Sequence, residues 1–277
     1  LVQTPESLKA RFNLDVRPFH EVIQISPEEH TVTVRHDGKE FTESYDKLIL
    51  SPGAKPFVPT IEGLAEAKNA YTLRNVPDLD EIMAALDNYP KEAVIIGAGF
   101  IGLEMAENLA KRGLQVTIVE KAPHVLPSLD QEMAAFVQAE LVKNSVRVIT
   151  SQSATRFEEQ GKVIVLENGQ KITSDLTILS VGVEPENGLA KTAGIELGLR
   201  GGILVDEHYE TSQKDIFAVG DAIVVKQEIT GQDALISLAS PANRQGRQVA
   251  DVIAGLERTN KGSIGTTIVR AFDMTAA

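Results

Sequence analysis

The run Ala93-Val-Ile-Ile-Gly-Ala-Gly-Phe-Ile-Gly102 constrains this chain more than any other stretch. Four apolar residues read as a short buried strand. Glycines end it, and Ile101, Met105 and Leu109 then recur at the spacing of one helix face. The following strand, from Gln115, ends on Glu120, eighteen residues after Gly102. Each part has a physical reason. Gly97 permits a tight turn, Gly99 lets the backbone approach a pyrophosphate, and Gly102 lets helix and strand pack closely. The helix N-terminus offers N–H groups and positive potential to phosphates, and Glu120 is suited to accept from ribose hydroxyls. A carboxylate there repels a 2′-phosphate, so the sequence favours NAD(H) over NADP(H), with Lys121 next door softening the preference.

Further along, Asp130 stands at the cap of a second helix carrying Met133, Phe136, Val137 and Leu141 at helical spacing, and "VRVIT" reads as a third strand. A hairpin turning at Asn168-Gly169 and a last strand from Asp175 complete a β-α-β-α-β order. The expectation is a parallel sheet with a small meander over it.

That last strand belongs to a repeat. "DKLILSPGAKP" (Asp46 to Pro56) aligns with "DLTILSVGVEP" (Asp175 to Pro185), sharing Asp, Ile, Leu, Ser, Gly and Pro at an offset of 129 residues. Each copy follows a predicted hairpin, the first turning at Asp37-Gly38. The same offset carried back from Gly97 falls some tens of residues before Leu1. The arithmetic predicts a fragment cut inside its first domain. "ETSQKDIFAVGDA", ending on Asp221 and Ala222, fits this expectation: Glu120 already serves the loop in view, which leaves Asp221 for a second one.

Composition removes several classes. The 27 Lys and Arg against 39 Asp and Glu give a net charge of −12, which argues against a nucleic-acid footprint. The longest nearly unbroken apolar run, Ala93 to Leu103, is too short to span a bilayer. With no cysteine in the sequence, disulfides, thiolate metal sites and thiol catalysis are absent from it. The histidines (His20, His30, His36, His124, His208) are scattered without ligand spacing, so no metal site is expected.

Taken together, "HEVIQI", "YDKLILSPGAKP", "YTLRN", "VIIGAGFIGLE", "LTILSVGVEPE", "TSQKDIFAVGDA" and "LASPANRQGR" resemble the FAD-dependent pyridine nucleotide–disulfide oxidoreductases, in the coenzyme A-disulfide reductase, NADH oxidase and NADH peroxidase branch. The resemblance implies an α/β fold of two Rossmann-like, three-layer ββα dinucleotide-binding domains, with an NAD domain inserted into a truncated FAD domain. The FAD domain would take residues 1–60 and 186–262, the NAD domain 61–185, and a truncated dimerisation domain would start at 263–277. It implies that Asp221 binds the FAD ribityl chain, and that Leu238, Ala239 and Ser240 approach the isoalloxazine ring. Val22 would meet the adenine, Ser51 and Gly53 the FAD phosphates, and Arg74 an FAD edge. On the nicotinamide side it assigns Phe100 as an aromatic gate, Ile101 and Gly182 to the nicotinamide path, and Glu104 close by. Asn243 takes a substrate-contacting position.

Plainer roles stand beside these. Val22, Phe100, Ile101 and Leu238 also suit a core, Arg74 a solvated surface, and Asp221 a cap. The resemblance further implies a cytoplasmic homodimer acting on a small disulfide or on oxygen or peroxide. It provides no catalytic residue in this chain, because the family's redox cysteine is absent, and the fragment is expected to be inactive. A cysteine-free ferredoxin or rubredoxin reductase and a non-catalytic NAD-binding regulator are the remaining readings.

Overall fold

The computed structural model describes residues 3–277. The chain divides into two compact units: the chain up to Ala54 together with Pro185–Gly265, and Lys55–Glu184 together with Thr266–Ala277.

The first unit opens with α1 (Pro5–Phe12), then a three-stranded antiparallel meander of β1 (Glu21–Ser26), β2 (Thr31–His36) and β3 (Lys39–Ser44). The β2–β3 turn has φ of 48° at Asp37 and 72° at Gly38, the left-handed pair that the Asp-Gly dipeptide predicts. Next comes β4 (Leu48–Leu50), and β5 (Ala54–Pro56) marks the first passage between units.

The second unit runs through β6 (Ala70–Tyr71), α2 (Val76–Leu86), β7 (Glu92–Ile96), α3 (Phe100–Lys111), β8 (Gln115–Val119), α4 (Gln131–Lys143) and β9 (Arg147–Ile149). An antiparallel meander of β10 (Ala154–Glu158), β11 (Val163–Leu166) and β12 (Lys171–Thr173) follows, then β13 (Leu176–Leu179) and β14 (Val183–Pro185). The sheet has the order β6-β13-β7-β8-β9 and is parallel at each of its four pairings.

Period-two alternation divides the sheet's side chains between two cores. Ala93, Ile95, Val116, Ile118, Leu176 and Ile178 pack toward α2, α3 and α4. Val94, Ile96, Val119 and Leu179 pack on the other face with Phe157, Ile164 and Ile172 of the meander. The unit is therefore the expected three-layer ββα sandwich.

Returning to the first unit, the chain adds α5 (Gly188–Thr192), β15 (Ile216–Ala218), the β16–β17 ribbon (Val225–Lys226, Asp233–Ala234) and α6 (Ala239–Ile253). There β15 pairs parallel with β4, matching Ile216 to Leu48 and Ala218 to Leu50. Ile25, Val32, Leu50, Phe217 and Val249 share its core. A terminal hairpin, β18 (Val269–Ala271) and β19 (Met274–Ala276), packs on the helix face of the second unit.

The repeat is structural as well as sequential. Each copy is a three-stranded meander leading into a parallel strand, and each meander carries a register shift in its first pairing, between Val22 and Gln24 and between Ala154 and Arg156. The second hairpin differs from expectation. Leu166 donates to Gln170 O, so three residues make the turn, and only Gly169 is left-handed, at φ 82°. Asn168 uses its side chain instead, accepting from Gln170 N at 2.9 Å, as an Asx turn does. Among the described residues no helix is long and apolar enough to cross a membrane.

Candidate nucleotide-binding sites

In the second unit β7 delivers the chain into Gly97, at φ 104°, and α3 begins at Phe100 with Gly99 at its N-cap. The loop between them is held by the protein's own groups. Gly97 N donates to Val119 O at 2.8 Å, continuing the sheet. Ser180 Oγ, just past β13, lies 3.0 Å from Gly97 O and 3.1 Å from Ile96 O. Glu120 Oε2 accepts from Ala98 N at 2.6 Å, and Ala98 O accepts from Leu126 N at 2.9 Å. By contrast, no side chain caps the helix, and Leu103 is the first residue whose N–H reaches back, to Gly99 O at 3.0 Å. The N–H groups of Phe100, Ile101 and Gly102 precede this first back-bond, in the turn where an α-helix offers its own donors no acceptor.

The three loop glycines are glycine for different reasons. A Cβ on Gly97 would run into the carbonyl of Ser180. One on Gly102 would strike Gly97 O and lie 2.8 Å from Ser180 Oγ. Gly99 has ordinary extended backbone, φ −79° and ψ −170°, and nothing lies within 4 Å of an added Cβ. The protein itself does not require glycine there.

Around this loop the structure brings together Gly97, Gly99, Phe100, Ile101, Gly102 and Glu120. Phe100 is half-buried against the helix-side core, and Ile101 is 38% exposed at the helix start. Glu104 is exposed one turn further along α3. Gly182, at φ 109°, follows Ser180 in the turn after β13, and its carbonyl accepts from Phe57 N at 3.0 Å.

In the first unit, an apolar cleft is lined by Val22, Leu48, Leu50, Ser51, Leu189 and Ile203. Gly53 turns the chain after β4 at φ 75° and accepts from Glu186 N at 3.0 Å. Asp221 sits in a single 3₁₀ turn, Gly220–Ala222, shortly past the C-terminal end of β15. Gly220 N donates to Oε1 of the buried Gln245 at 2.7 Å, tying that turn to α6. Leu238 occupies the N-cap of α6, with Ala239 and Ser240 in its first turn and no side chain capping it. Asn243 accepts from Arg247 along the same helix. Arg74 belongs to the second unit, where its N–H donates to Asp78 at 2.7 Å.

Three positioning groups escape sequence reasoning: Ser180, Leu126 and Gln245. For Ser180 a signal existed, because Ser51 and Ser180 coincide in the repeat.

The uncapped start of α3, at the C-terminal end of the parallel strand β7, is the arrangement of a dinucleotide-binding α/β fold. The chain belongs to the pyridine nucleotide-disulphide oxidoreductase family, whose model matches residues 4–246. It is 38% identical over 261 residues to an NADH oxidase of Methanocaldococcus jannaschii, covering 93% of this chain and 58% of that protein. A coenzyme A disulfide reductase of Staphylococcus aureus is 35% identical over 282 residues, covering 100% of this chain and 63% of its own length. Among solved structures, reduced Bacillus anthracis CoADR-RHD has a TM-score of 0.97 at 48% identity, covering 99% of this chain and 50% of that one. An engineered water-forming NADPH oxidase bound to NADPH has a TM-score of 0.91 at 27% identity, covering 99% of this chain and 61% of its own. It carries a Gly→Ala change and, 18, 19, 20 and 25 residues further on, Asp→Ala, Ala→Arg, Met→Ser and Pro→Arg. The chain spans about three-fifths of the length of the curated relatives it matches.

Proposed function

We propose that the chain is the nucleotide-binding part of an NADH-dependent flavoprotein that passes hydride from NADH to FAD and on to a small disulfide, coenzyme A disulfide or a close chemical relative. The observation that carries the nicotinamide half is Gly99. Its backbone is ordinary and the space beside it is open, so glycine is explained there by a ligand's approach.

Residues 61–185 are the NAD domain, 1–60 and 186–262 the FAD domain, and 263–277 the start of a dimerisation domain of a homodimeric protein. The N–H groups at the start of α3 bind the pyrophosphate, Glu120 orients the adenosine ribose, and Phe100 covers the nicotinamide path beside Ile101, Glu104 and Gly182. In the other half, Asp221 holds the ribityl chain and Leu238, Ala239 and Ser240 flank the ring at the open start of α6. Val22 lines the cleft that suits an adenine, with Ser51 and Gly53 toward the phosphates and Arg74 at an edge. FAD, when bound, accepts the hydride and hands on the electron pair. The sequence holds no cysteine, so no thiol of these 277 residues carries the acceptor step. Asn243 faces the acceptor.

For NADH over NADPH, spacing adds support. Counted from Gly102, the positions altered in the NADPH-bound oxidase fall on Glu120, Lys121, Ala122 and Pro127. The first keeps its acid here, and a carboxylate disfavours a 2′-phosphate. Oxygen or peroxide as acceptor is the second reading, favoured by the 38% identity to an NADH oxidase. Titration calorimetry of the chain with NADH and NADPH tests the cofactor half. Saturable NADH binding, at least about tenfold tighter than NADPH, is expected from the repulsion of one unscreened charge pair. Absence of saturable NADH binding would remove the reading.

A further inference from the structure

Glu120 is committed before any nucleotide arrives. Its side chain is buried, the residue being 8% exposed, and both oxygens have backbone partners. Oε2 accepts from Ala98 N at 2.6 Å and Oε1 from Ala122 N at 2.7 Å. Ala98 is itself fully buried, and its carbonyl accepts from Leu126 N at 2.9 Å. One carboxylate thus fastens the central peptide of the glycine turn to the chain leaving β8. The segment from Ala122 to Leu126 grips the same residue from its other side.

We infer that Glu120 is a positioning residue that sets the phosphate loop in the empty protein, so that loop order and cofactor choice depend on one carboxylate. The part about cofactor choice rests on the NADH reading above. Without the carboxylate, two N–H groups in a largely buried site lose a charged acceptor, and an unpaired buried donor is costly. The loop then loosens, and the pyrophosphate of either nucleotide is held less well. Replacing the acid alone therefore weakens NADH binding without creating an NADPH site. A carboxylate that served only the ribose would behave differently. The empty loop would be indifferent to its loss, and NADPH would gain from the removed charge.

Hydrogen–deuterium exchange on the whole 277-residue chain, without nucleotide and resolved at Ala98 and Ala122, separates the two. The comparison is wild type against Glu120→Ala and Glu120→Gln. The glutamine keeps the size but offers one carbonyl to two donors, and it carries the test if the alanine variant does not fold. Exchange at Ala98 should rise about tenfold or more in both variants, the effect of losing a charge-assisted hydrogen bond. Amides of Val94 to Ile96 and of β11 should keep wild-type rates, which a general loss of stability would not allow. In parallel titrations NADH binds more weakly than to wild type, and NADPH gains nothing. Unchanged exchange at Ala98, or a Glu120→Ala chain that binds NADPH as tightly as the wild type binds NADH, overturns the inference. Because exchange is read without nucleotide, a wild type that ignores NADH defeats the proposed function and leaves the loop clamp standing.

Discussion

The hydroxyl of Ser180 lies 3.0 Å from the carbonyl oxygen of Gly97 and 3.1 Å from that of Ile96, so the residue just past β13 braces the glycine loop. One proton is shared between two acceptors in a partly buried place. Ser180→Ala should cost about 1 kcal/mol of stability, as for a single neutral hydrogen bond. NADH affinity should fall several-fold, because the loop is no longer held in register. Thermal melting and calorimetry on the same sample read both effects.

Gly97 and Gly102 should fail differently from Gly99. An alanine at Gly97 combines a left-handed backbone with a clash against Ser180 O, and one at Gly102 meets Gly97 O. Backbone strain or overpacking against fixed main chain costs about 1–3 kcal/mol each. Both variants should melt several degrees lower without any ligand present.

Two carboxylates hold the β18–β19 hairpin, and they make its attachment sensitive to acid. Burial raises the Glu107 carboxyl, but its bonds to Lys111 and to Phe272 N–H outweigh this and bring it below its ordinary 4.5. Glu140 is lowered from the same value by Lys143 first, opposed by burial and helped by Asn144 and the Asp273 backbone. Carboxyls lowered in the folded state contribute their full stability above their unfolded value, and it is lost as pH falls through the lowered folded values. The hairpin should keep its protection at pH 6 and lose it, relative to the intrinsic exchange rate at each pH, below about pH 4.5. Glu107→Gln should flatten that acid dependence while lowering protection at neutral pH. Amide exchange at Phe272, followed across pH, gives the comparison.

Gln245 is buried at 4% exposure, and its Oε1 supports the N–H of Gly220, next to Asp221. Gln245→Leu leaves that donor unpaired at a cost of about 1–3 kcal/mol. The Asp221 turn should loosen, which amide exchange at Gly220 reports as lower protection than in wild type, while Phe217 in the core strand keeps its own.

Much of this was legible because the signals are local. Four apolar residues, three glycines and a helical period fix β7, the loop and α3 without help from the rest of the chain. The repeat exposed a second parallel strand for the same reason. What escaped depends on distant partners. The bonds from Ala98 and Ala122 N–H to Glu120 have no local sequence signal, because the pairing is set by how β8 sits beside β7. Asp130 does stand at the N-cap of α4, where its carbonyl accepts from Met133 and Ala134, but its side chain makes no cap. Met133 and Phe136 keep the helical spacing and are 59% and 61% exposed, while Ala134, Val137 and Leu141 take the buried face. Spacing alone does not distinguish which stripe of an apolar helix turns inward.

Whether the loop after β7 receives a dinucleotide is tested most directly by Gly99→Ala. The substitution meets no atom within 4 Å and no unusual backbone angle, and the loss of glycine at the N-cap is offset by a less free unfolded chain, so the melting temperature should stay within a few degrees of the wild type. Its methyl group would occupy the path of the pyrophosphate, and NADH affinity should drop by about tenfold or more, the scale of a steric intrusion into a packed contact. An unchanged melting temperature with wild-type NADH affinity would contradict the account.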